Sequence, residues 1–172
     1  MTAFNLIEFD SFWNIWFWLV VVVSWSMACH WTIGVPFDVI NLANRHGGQW
    51  ADECEAIAQA NINRMCHYIS RGGVFFVALV AFFMAVLATF GFYFDMEFSR
   101  ALFLLIAPMV VVQFLGAGLA AKCKRNGWQG AVLRKALARR RFWNQVIGTA
   151  SVAMLSVFAV IEGVVSNNFI AF

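Results

Sequence analysis

The sequence predicts an all-α membrane protein, a single domain with four transmembrane helices and two cytoplasmic amphipathic connecting helices. The first observation behind this prediction is composition: 62% of the residues are hydrophobic, only 12% are charged and the mean hydropathy is +0.74. A surface in contact with water is rarely so apolar. The second observation is a set of four apolar runs, each long enough to cross a hydrocarbon core of about 30 Å.

The third observation is one strongly basic segment, residues 122–141, which carries eight of the 12 Lys and Arg residues and no acidic residue. Cytoplasmic segments next to membrane spans carry an excess of such bases, so the positive-inside rule fixes the orientation of the chain. Each base near an anionic surface contributes about 1 kcal/mol. The residues predicted to contact anionic lipid headgroups are Lys122, Lys124, Arg125, Arg134, Lys135, Arg139, Arg140 and Arg141.

The first span is predicted over residues 12–35. The tail before it contains two acidic residues and no base, which suits the periplasmic side of a bacterial inner membrane. Tryptophans bracket the apolar run LVVVV, as aromatic belts do at the two interfaces, and Pro36 is predicted to close the helix.

A cytoplasmic connection is predicted over residues 36–73. The two glycines within NRHGGQ, residues 44–49, indicate a turn. After it, apolar residues recur at spacings of three and four, which predicts an amphipathic helix. The residues of this stripe are Cys54, Ala58, Ile62, Met65 and Ile69.

The remaining spans are predicted over residues 74–94, 98–121 and 142–165. Only a few residues separate the second from the third, so these two spans are expected to be antiparallel neighbours. Between the third and fourth lies the connection 122–141, where helical spacing places Trp128, Leu133 and Leu137 on one side of a basic amphipathic helix. Both termini are therefore expected in the periplasm.

His30 is the leading candidate for ligand chemistry, because it is the one histidine within a predicted span. An imidazole in a membrane is costly without a partner. It would ligate a haem iron or a chlorin magnesium, or bond a quinone, with Ser26 one turn away. The alternative is structural, with His30 hydrogen-bonded to Ser26, a neighbouring helix or a headgroup. A b-type haem usually takes a second histidine, which would have to come from a second copy or a partner subunit.

Other candidates for chemistry are few. Two Cys-His pairs, Cys29-His30 and Cys66-His67, offer soft ligands, but adjacent helical residues point about 100° apart, and no metal site is predicted. Arg100 and Glu162 are expected to form an ion pair at the periplasmic end. The chain has no Walker loop, nucleophile elbow or dinucleotide fingerprint, so no enzymatic activity is supported.

Several short motifs resemble those of a known family. They are Trp25-Ser26, His30-Trp31, the run GVPFD at residues 34–38 and NINR at residues 61–64. Over roughly the first 120 residues the chain is similar to small alphaproteobacterial membrane proteins labelled "component of SufBCD complex". The label implies a link to iron–sulfur assembly, and the resemblance implies an inner-membrane protein of bacteria rich in respiratory and photosynthetic complexes. These motifs have no assigned chemistry, so no catalytic residue is carried over.

The function expected from the sequence is that of a non-catalytic accessory or assembly subunit of a larger respiratory or photosynthetic membrane complex. The 19 Phe and eight Trp residues give more aromatic surface than four helices can bury among themselves. Expected partners are other integral membrane subunits and anionic lipids, with a homodimer as an alternative. A haem-, pigment- or quinone-binding protein using His30 is the second hypothesis. The third is a small lipid or quinone carrier, which would need a polar-lined cavity between the third and fourth spans.

Overall fold

The computed structural model describes residues 15–170, and the side chains of residues 15–164. About 91% of it is helical, in five helices, and three helical stretches are long and apolar enough to cross a membrane: Gly48–Tyr93, Glu97–Asn126 and Gly130–Val164. The prediction of a helical membrane protein is confirmed at this level. The acidic N-terminal tail and the predicted start of the first span at Phe12 lie outside the described residues.

The elements follow one another with short connections. In chain order they are α1 (Ile15–His30), β1 (Trp31–Thr32), β2 (Val35–Pro36), α2 (Phe37–His46), α3 (Gly48–Ala88), a π-helical turn (Thr89–Tyr93), α4 (Glu97–Asn126) and α5 (Gly130–Ile170). The helices α3 and α4 are joined by the π-helical turn and lie side by side, antiparallel, as the short connection requires. We call the end of the molecule that holds the hairpin, α2 and the α4–α5 turn the basic end.

The first helix ends earlier than the sequence predicted. It stops at His30, and a small antiparallel hairpin replaces the expected last turns, with Thr32 paired to Val35. Ile33 and Gly34 connect the two strands with φ of 53° and 71°, the positive values that a two-residue hairpin turn needs. Asn61 donates a hydrogen bond of 3.1 Å to the Gly34 carbonyl, and Thr32 and Val35 are buried. The helix therefore ends where the buried hairpin begins.

The helix α3 is longer than the predicted span. It runs from Gly48 to Ala88 through Gly72 and Gly73, where the sequence indicated a boundary. Its 41 residues extend about 62 Å at 1.5 Å per residue, twice a hydrocarbon core of about 30 Å. The helix α5 likewise continues through residue 142 without a break. Two adjacent glycines cost about 1 kcal/mol each in a helix, too little to break one held by packing at its first half.

The basic segment is interrupted by the turn between α4 and α5. Gly127 adopts the left-handed conformation, and the N–H of Trp128 bonds the Cys123 carbonyl at 3.1 Å, as in a Schellman cap. The turn is fixed on α3 by two further bonds. Gln59 donates to the Trp128 carbonyl at 3.0 Å, and Glu55 accepts from the Gly130 N–H at 2.9 Å.

Buried side chains form two separate cores. The hairpin core, at the basic end, joins the hairpin, α2, the first half of α3 and the ends of α4 and α5 that meet there. It comprises Ile33, Val35, Ile40, Ala43, Cys54, Ala58, Ile62, Ala120, Cys123, Leu133 and Leu137. The bundle core joins α1, α4 and α5. It comprises Val21, Trp25, Ala101, Leu104, Leu105, Val112, Leu155 and Ala159.

One face of α5 runs through both cores, and we call it the inner face. Its buried residues recur every three or four positions, the period of a helix packed along its length. They are Leu133, Leu137, Arg140, Asn144, Gly148, Ser151, Leu155 and Ala159. The polar members of this face lie between the two apolar cores.

Gly148 is needed where α1 crosses this face. A Cβ at Gly148 would lie 2.8 Å from Cε3 of Trp25, whereas a Cβ at Gly118, also helical, would meet nothing within 4 Å. We therefore expect Gly148→Ala to lower the free energy of unfolding by about 1–3 kcal/mol through overpacking. The matched Gly118→Ala should leave it unchanged or raise it by up to about 1 kcal/mol. Unfolding in detergent micelles measures both, and equal shifts would contradict the α1–α5 packing.

Candidate functional site

The candidate ligand His30 lies at the end of α1, next to the hairpin. Its ring is half-buried and packs edge-on against Trp31, with ring centroids 5.9 Å apart. Ser26 is exposed, and no hydrogen bond joins Ser26 to His30 in the described part of the chain. The haem, chlorin or quinone role of His30 stays a prediction.

Metal-ligating side chains are dispersed. Across residues 15–164, no group of three or more His, Cys, Asp or Glu side chains lies close enough together to hold a metal ion. Cys29, Cys54, Cys66 and Cys123 are all free thiols, two half-buried and two buried. The pair Cys66-His67 lies on α3, where Cys66 packs against the hairpin core, and the pair Cys29-His30 lies at the end of α1.

Arg100 and Glu162 are brought together at the end opposite the basic end. The Arg100 guanidinium pairs with Glu162 through Nη1 and with Asp95 through Nη2, and its Nε donates to the Gly91 carbonyl at 3.0 Å. The Arg100 side chain is 14% exposed. A Cβ at Gly91 would lie 2.8 Å from the Arg100 backbone nitrogen, so glycine permits this approach. The cluster ties the turn after α3 to the far end of α5.

The eight basic residues expected at lipid headgroups occupy three environments. Five are exposed: Lys122, Lys124, Arg125, Lys135 and Arg139. Two are half-buried and held by neighbours. Arg134 donates from Nε to the Asn44 side-chain oxygen at 3.1 Å, and the Arg141 guanidinium stacks on the Phe37 ring, 3.3 Å from its centroid.

The eighth, Arg140, is buried rather than on the open surface. It is 7% exposed, its Nη2 donates to the Val112 carbonyl of α4, and it lies beside Gly116. The cause is its position on the inner face of α5, three residues after Leu137 and four before Asn144. Arg139 and Arg141, one position away on either side, lie off the inner face because successive helical residues turn by about 100°.

Polar groups in the middle of the inner face connect α5 to α1. Asn144 donates from Nδ2 to the Ala28 carbonyl at 3.1 Å. Its Oδ1 is buried without a hydrogen-bond partner in the described part, as are Ser151 Oγ and Trp25 Nε1. Ser151 was not predicted from the sequence as a functional residue. The signal that would have found it is the spacing of three and four that continues from Leu133 through Asn144.

Two grooves lie beside the basic residues. One, of about 620 Å³, runs between α3 and α4, and its lining includes Cys66, His67, Lys124 and Arg125. The other, of about 370 Å³, lies between α4 and α5. It is lined by Leu115, Leu119, Ala136, Arg139, Arg140 and Trp143. The second groove is where the carrier hypothesis placed a cavity, but its walls are mostly apolar and two arginines supply its polar groups.

The Arg100 cluster gives a test with an internal control. Glu162 is 28% exposed and Asp95 is 88% exposed, although both pair with the same guanidinium. Glu162→Gln should lower the free energy of unfolding by about 1–3 kcal/mol, since a charged hydrogen bond on a poorly solvated arginine is lost. Asp95→Asn should change it by less than about 0.5 kcal/mol, because water screens an exposed pair. If Asp95→Asn lowers the free energy of unfolding in micelles by more than Glu162→Gln does, the Arg100–Glu162 pair contributes little to stability.

Comparison with known proteins found no match to this chain among family models, curated proteins or solved structures.

Proposed function

We propose that this protein is a non-catalytic accessory or assembly subunit of a larger bacterial inner-membrane complex, respiratory or photosynthetic, and that it docks through the apolar half of α3. The observation that carries the proposal is the composition of the bundle core. Residues of α1, α4 and α5 form it, and α3 contributes none. Among the described residues, the apolar half of α3 is therefore an edge helix, and α4 is the helix that α3 contacts most.

The surface left open on α3 is broad and aromatic. None of the residues in its most apolar 18-residue window is buried. Phe75 is 75% exposed, Phe76 60%, Phe82 62% and Phe83 58%. Their spacing of one and seven residues places these rings on one broad face of the helix, about 120° wide, which no described residue of the chain buries. Large aromatic side chains give helix packing more contact area than aliphatic ones do.

Firm placement of α3 in this chain supports a docking role. The first half of α3 is fixed in the hairpin core through Cys54, Ala58 and Ile62, and the π-helical turn at the far end is fixed by Arg100. The exposed half of α3 is thus fixed at both ends, so its orientation relative to the rest of the chain is set. A preorganised surface loses less conformational entropy when a partner binds.

The proposed topology has four spans, with α1 as the fourth. Its 16 described residues extend about 24 Å at 1.5 Å per residue, slightly less than a hydrocarbon core of about 30 Å. Contacts of Trp25 with Gly148 and of Ala28 with Asn144 set α1 antiparallel to α5. With the basic end in the cytoplasm, as the positive-inside rule favours, the chain enters and leaves in the periplasm. The resemblance to small alphaproteobacterial inner-membrane proteins agrees with this placement.

Docking through α3 is tested by replacing its exposed aromatic rings with leucine, which removes the rings but keeps the helix apolar. Full-length protein carrying Phe75→Leu, Phe76→Leu, Phe82→Leu and Phe83→Leu is purified after gentle solubilisation of native membranes, and its companions are identified by mass spectrometry. We expect the wild type to retain stoichiometric integral membrane subunits and the variant to lose at least about 90% of them, because each ring anchor contributes about 1 kcal/mol or more to an interface.

The matched control changes the exposed face of α5. Val157, Val160 and Ile161 are 58%, 62% and 51% exposed, and their replacement by Leu should leave the companions in place. Equal loss in both variants would contradict docking through α3. A colourless wild-type dimer without companions would contradict the accessory role and favour the carrier hypothesis. A visible absorbance band that travels with this chain alone and is lost in His30→Ala would favour the cofactor hypothesis.

The topology has its own test. Alkaline phosphatase fused after Phe172 should be active, because this enzyme folds only in the periplasm, and the same enzyme fused after Asn126 should be inactive. Green fluorescent protein at the two sites should give the opposite result. Phosphatase activity at Asn126 would invert the proposed orientation.

A further inference from the structure

The buried arginine on the inner face of α5 has no counter-charge among the residues that the structure describes. Arg140 is more than nine-tenths buried, and one of its hydrogen bonds goes to a neutral acceptor, the Val112 carbonyl. Its Nε is buried with no hydrogen-bond partner among residues 15–164. A guanidinium has five N–H donors and stays charged in proteins, so this one is incompletely satisfied by the described part of the chain.

The surroundings of Arg140 are positive. Arg139 lines the same groove as Arg140, Arg141 is the next residue of α5, and no carboxylate of the described residues forms an ion pair with any of the three. The ion pairs of Arg100 lie at the opposite end of α4 and α5. A buried charge without a partner is strongly unfavourable, and in membrane proteins such residues usually pair with another group. Arg140 and Arg139 are therefore without an anionic partner in the described part of the chain, and an anion bound from solution or from the membrane would supply one.

The groove between α4 and α5 offers that anion a place. Its volume of about 370 Å³ lies within the range of small-molecule sites, about 300–1,000 Å³. Arg139 and Arg140 are its polar groups, and Leu115, Leu119 and Trp143 form apolar walls. Leu115 is 49% exposed and Trp143 53% exposed, so the groove opens on the outer surface of the helices.

The two chemistries of the groove fit one kind of molecule. Arginine binds phosphate oxygens through parallel N–H donors, more specifically than lysine does. Leucine and tryptophan side chains at the boundary between the charged and the apolar part of a membrane helix suit acyl chains and the interface. A soluble anion would use the arginines and leave the apolar walls in contact with water. An amphiphile with an anionic phosphate would use both.

We propose that the groove between α4 and α5 binds an anionic phospholipid, with its phosphate on Arg140 and Arg139 and its acyl chains along Leu115, Leu119 and Trp143. The proposal does not depend on a partner subunit, and it goes beyond general attraction of the basic segment to the membrane. The lipid supplies the counter-charge that Arg140 lacks and fills the space between two helices.

The experiment uses the full-length protein, delipidated in neutral detergent and reconstituted in phosphatidylcholine vesicles with and without phosphatidylglycerol. Binding of a fluorescent phosphatidylglycerol is measured by energy transfer from Trp143 and the other tryptophans, and lipids that stay bound are counted by native mass spectrometry. We expect one tightly held phosphatidylglycerol per chain, bound about tenfold or more above phosphatidylcholine, which is about 1.4 kcal/mol.

Three variants, each of which removes one positive charge, locate the site. Arg140→Gln and Arg139→Gln should each weaken phosphatidylglycerol binding about tenfold, because each removes a charged donor to the phosphate. Arg125→Gln, which lies in the other groove, should leave it within about twofold, as expected for an exposed base acting at long range. If Arg140→Gln does not fold, the exposed Arg139→Gln decides the result.

Several outcomes would overturn the proposal. Equal losses for Arg125→Gln and Arg139→Gln would mean general attraction to an anionic surface. Competition by inorganic phosphate at the same concentration as the lipid would mean a simple anion site. No selectivity for phosphatidylglycerol in the wild type would mean that the groove holds no anionic lipid.

Discussion

Packing along one face of α5 is the constraint on which the rest of the structure depends. Leu133 and Leu137 enter the hairpin core, Leu155 and Ala159 enter the bundle core, and all are on the same side of one helix. A rigid helix that passes through both cores fixes their relative position, because successive turns keep a constant rotation and rise. The helices α1 and α4, the first half of α3 and the hairpin all take their places against this face.

The polar centre of that face explains why the two cores are separate. Arg140 and Asn144 occupy the positions between Leu137 and Gly148, and each reaches a backbone carbonyl of a neighbouring helix, Val112 or Ala28. Such bonds hold helices together where apolar packing alone gives little preference between protein and lipid. They also leave donors and acceptors without partners, which is a cost in a medium that contains no water. The groove beside Arg140 is the place where the structure allows an outside molecule to offset that cost.

Length is the second constraint. The helices α3 and α5 each have 41 residues, so neither fits within the hydrocarbon layer. Each carries a half packed in the hairpin core and a mostly apolar half beyond it. The apolar half of α5 buries one face against α1 and α4, whereas no described residue of the apolar half of α3 enters the bundle core. Of these two long helices, α5 therefore has one packed face in its apolar half and α3 has none, and the open half of α3 is the surface that we propose for docking.

The sequence by itself determined the helical membrane class, the basic segment, the turn at Gly47 and the short connection between α3 and α4, because hydrophobicity, charge and glycine act locally. Spacing also pointed to the face on which Cys54, Ala58 and Ile62 are buried. The sequence predicted that Ser26 lies one helical turn from His30, but no hydrogen bond joins the two side chains in the described part of the chain.

Only the tertiary structure decided which residues face inward. Three arginines in a row look alike in sequence, yet one is buried, one stacks on Phe37 and one is exposed, since the direction of each depends on the helices that pack around α5. The hairpin after His30 and the unbroken passage of α3 through Gly72 and Gly73 were likewise settled by packing. Local preferences of about 1 kcal/mol per residue are smaller than the free energy gained when a hairpin or a long helix buries its apolar side chains.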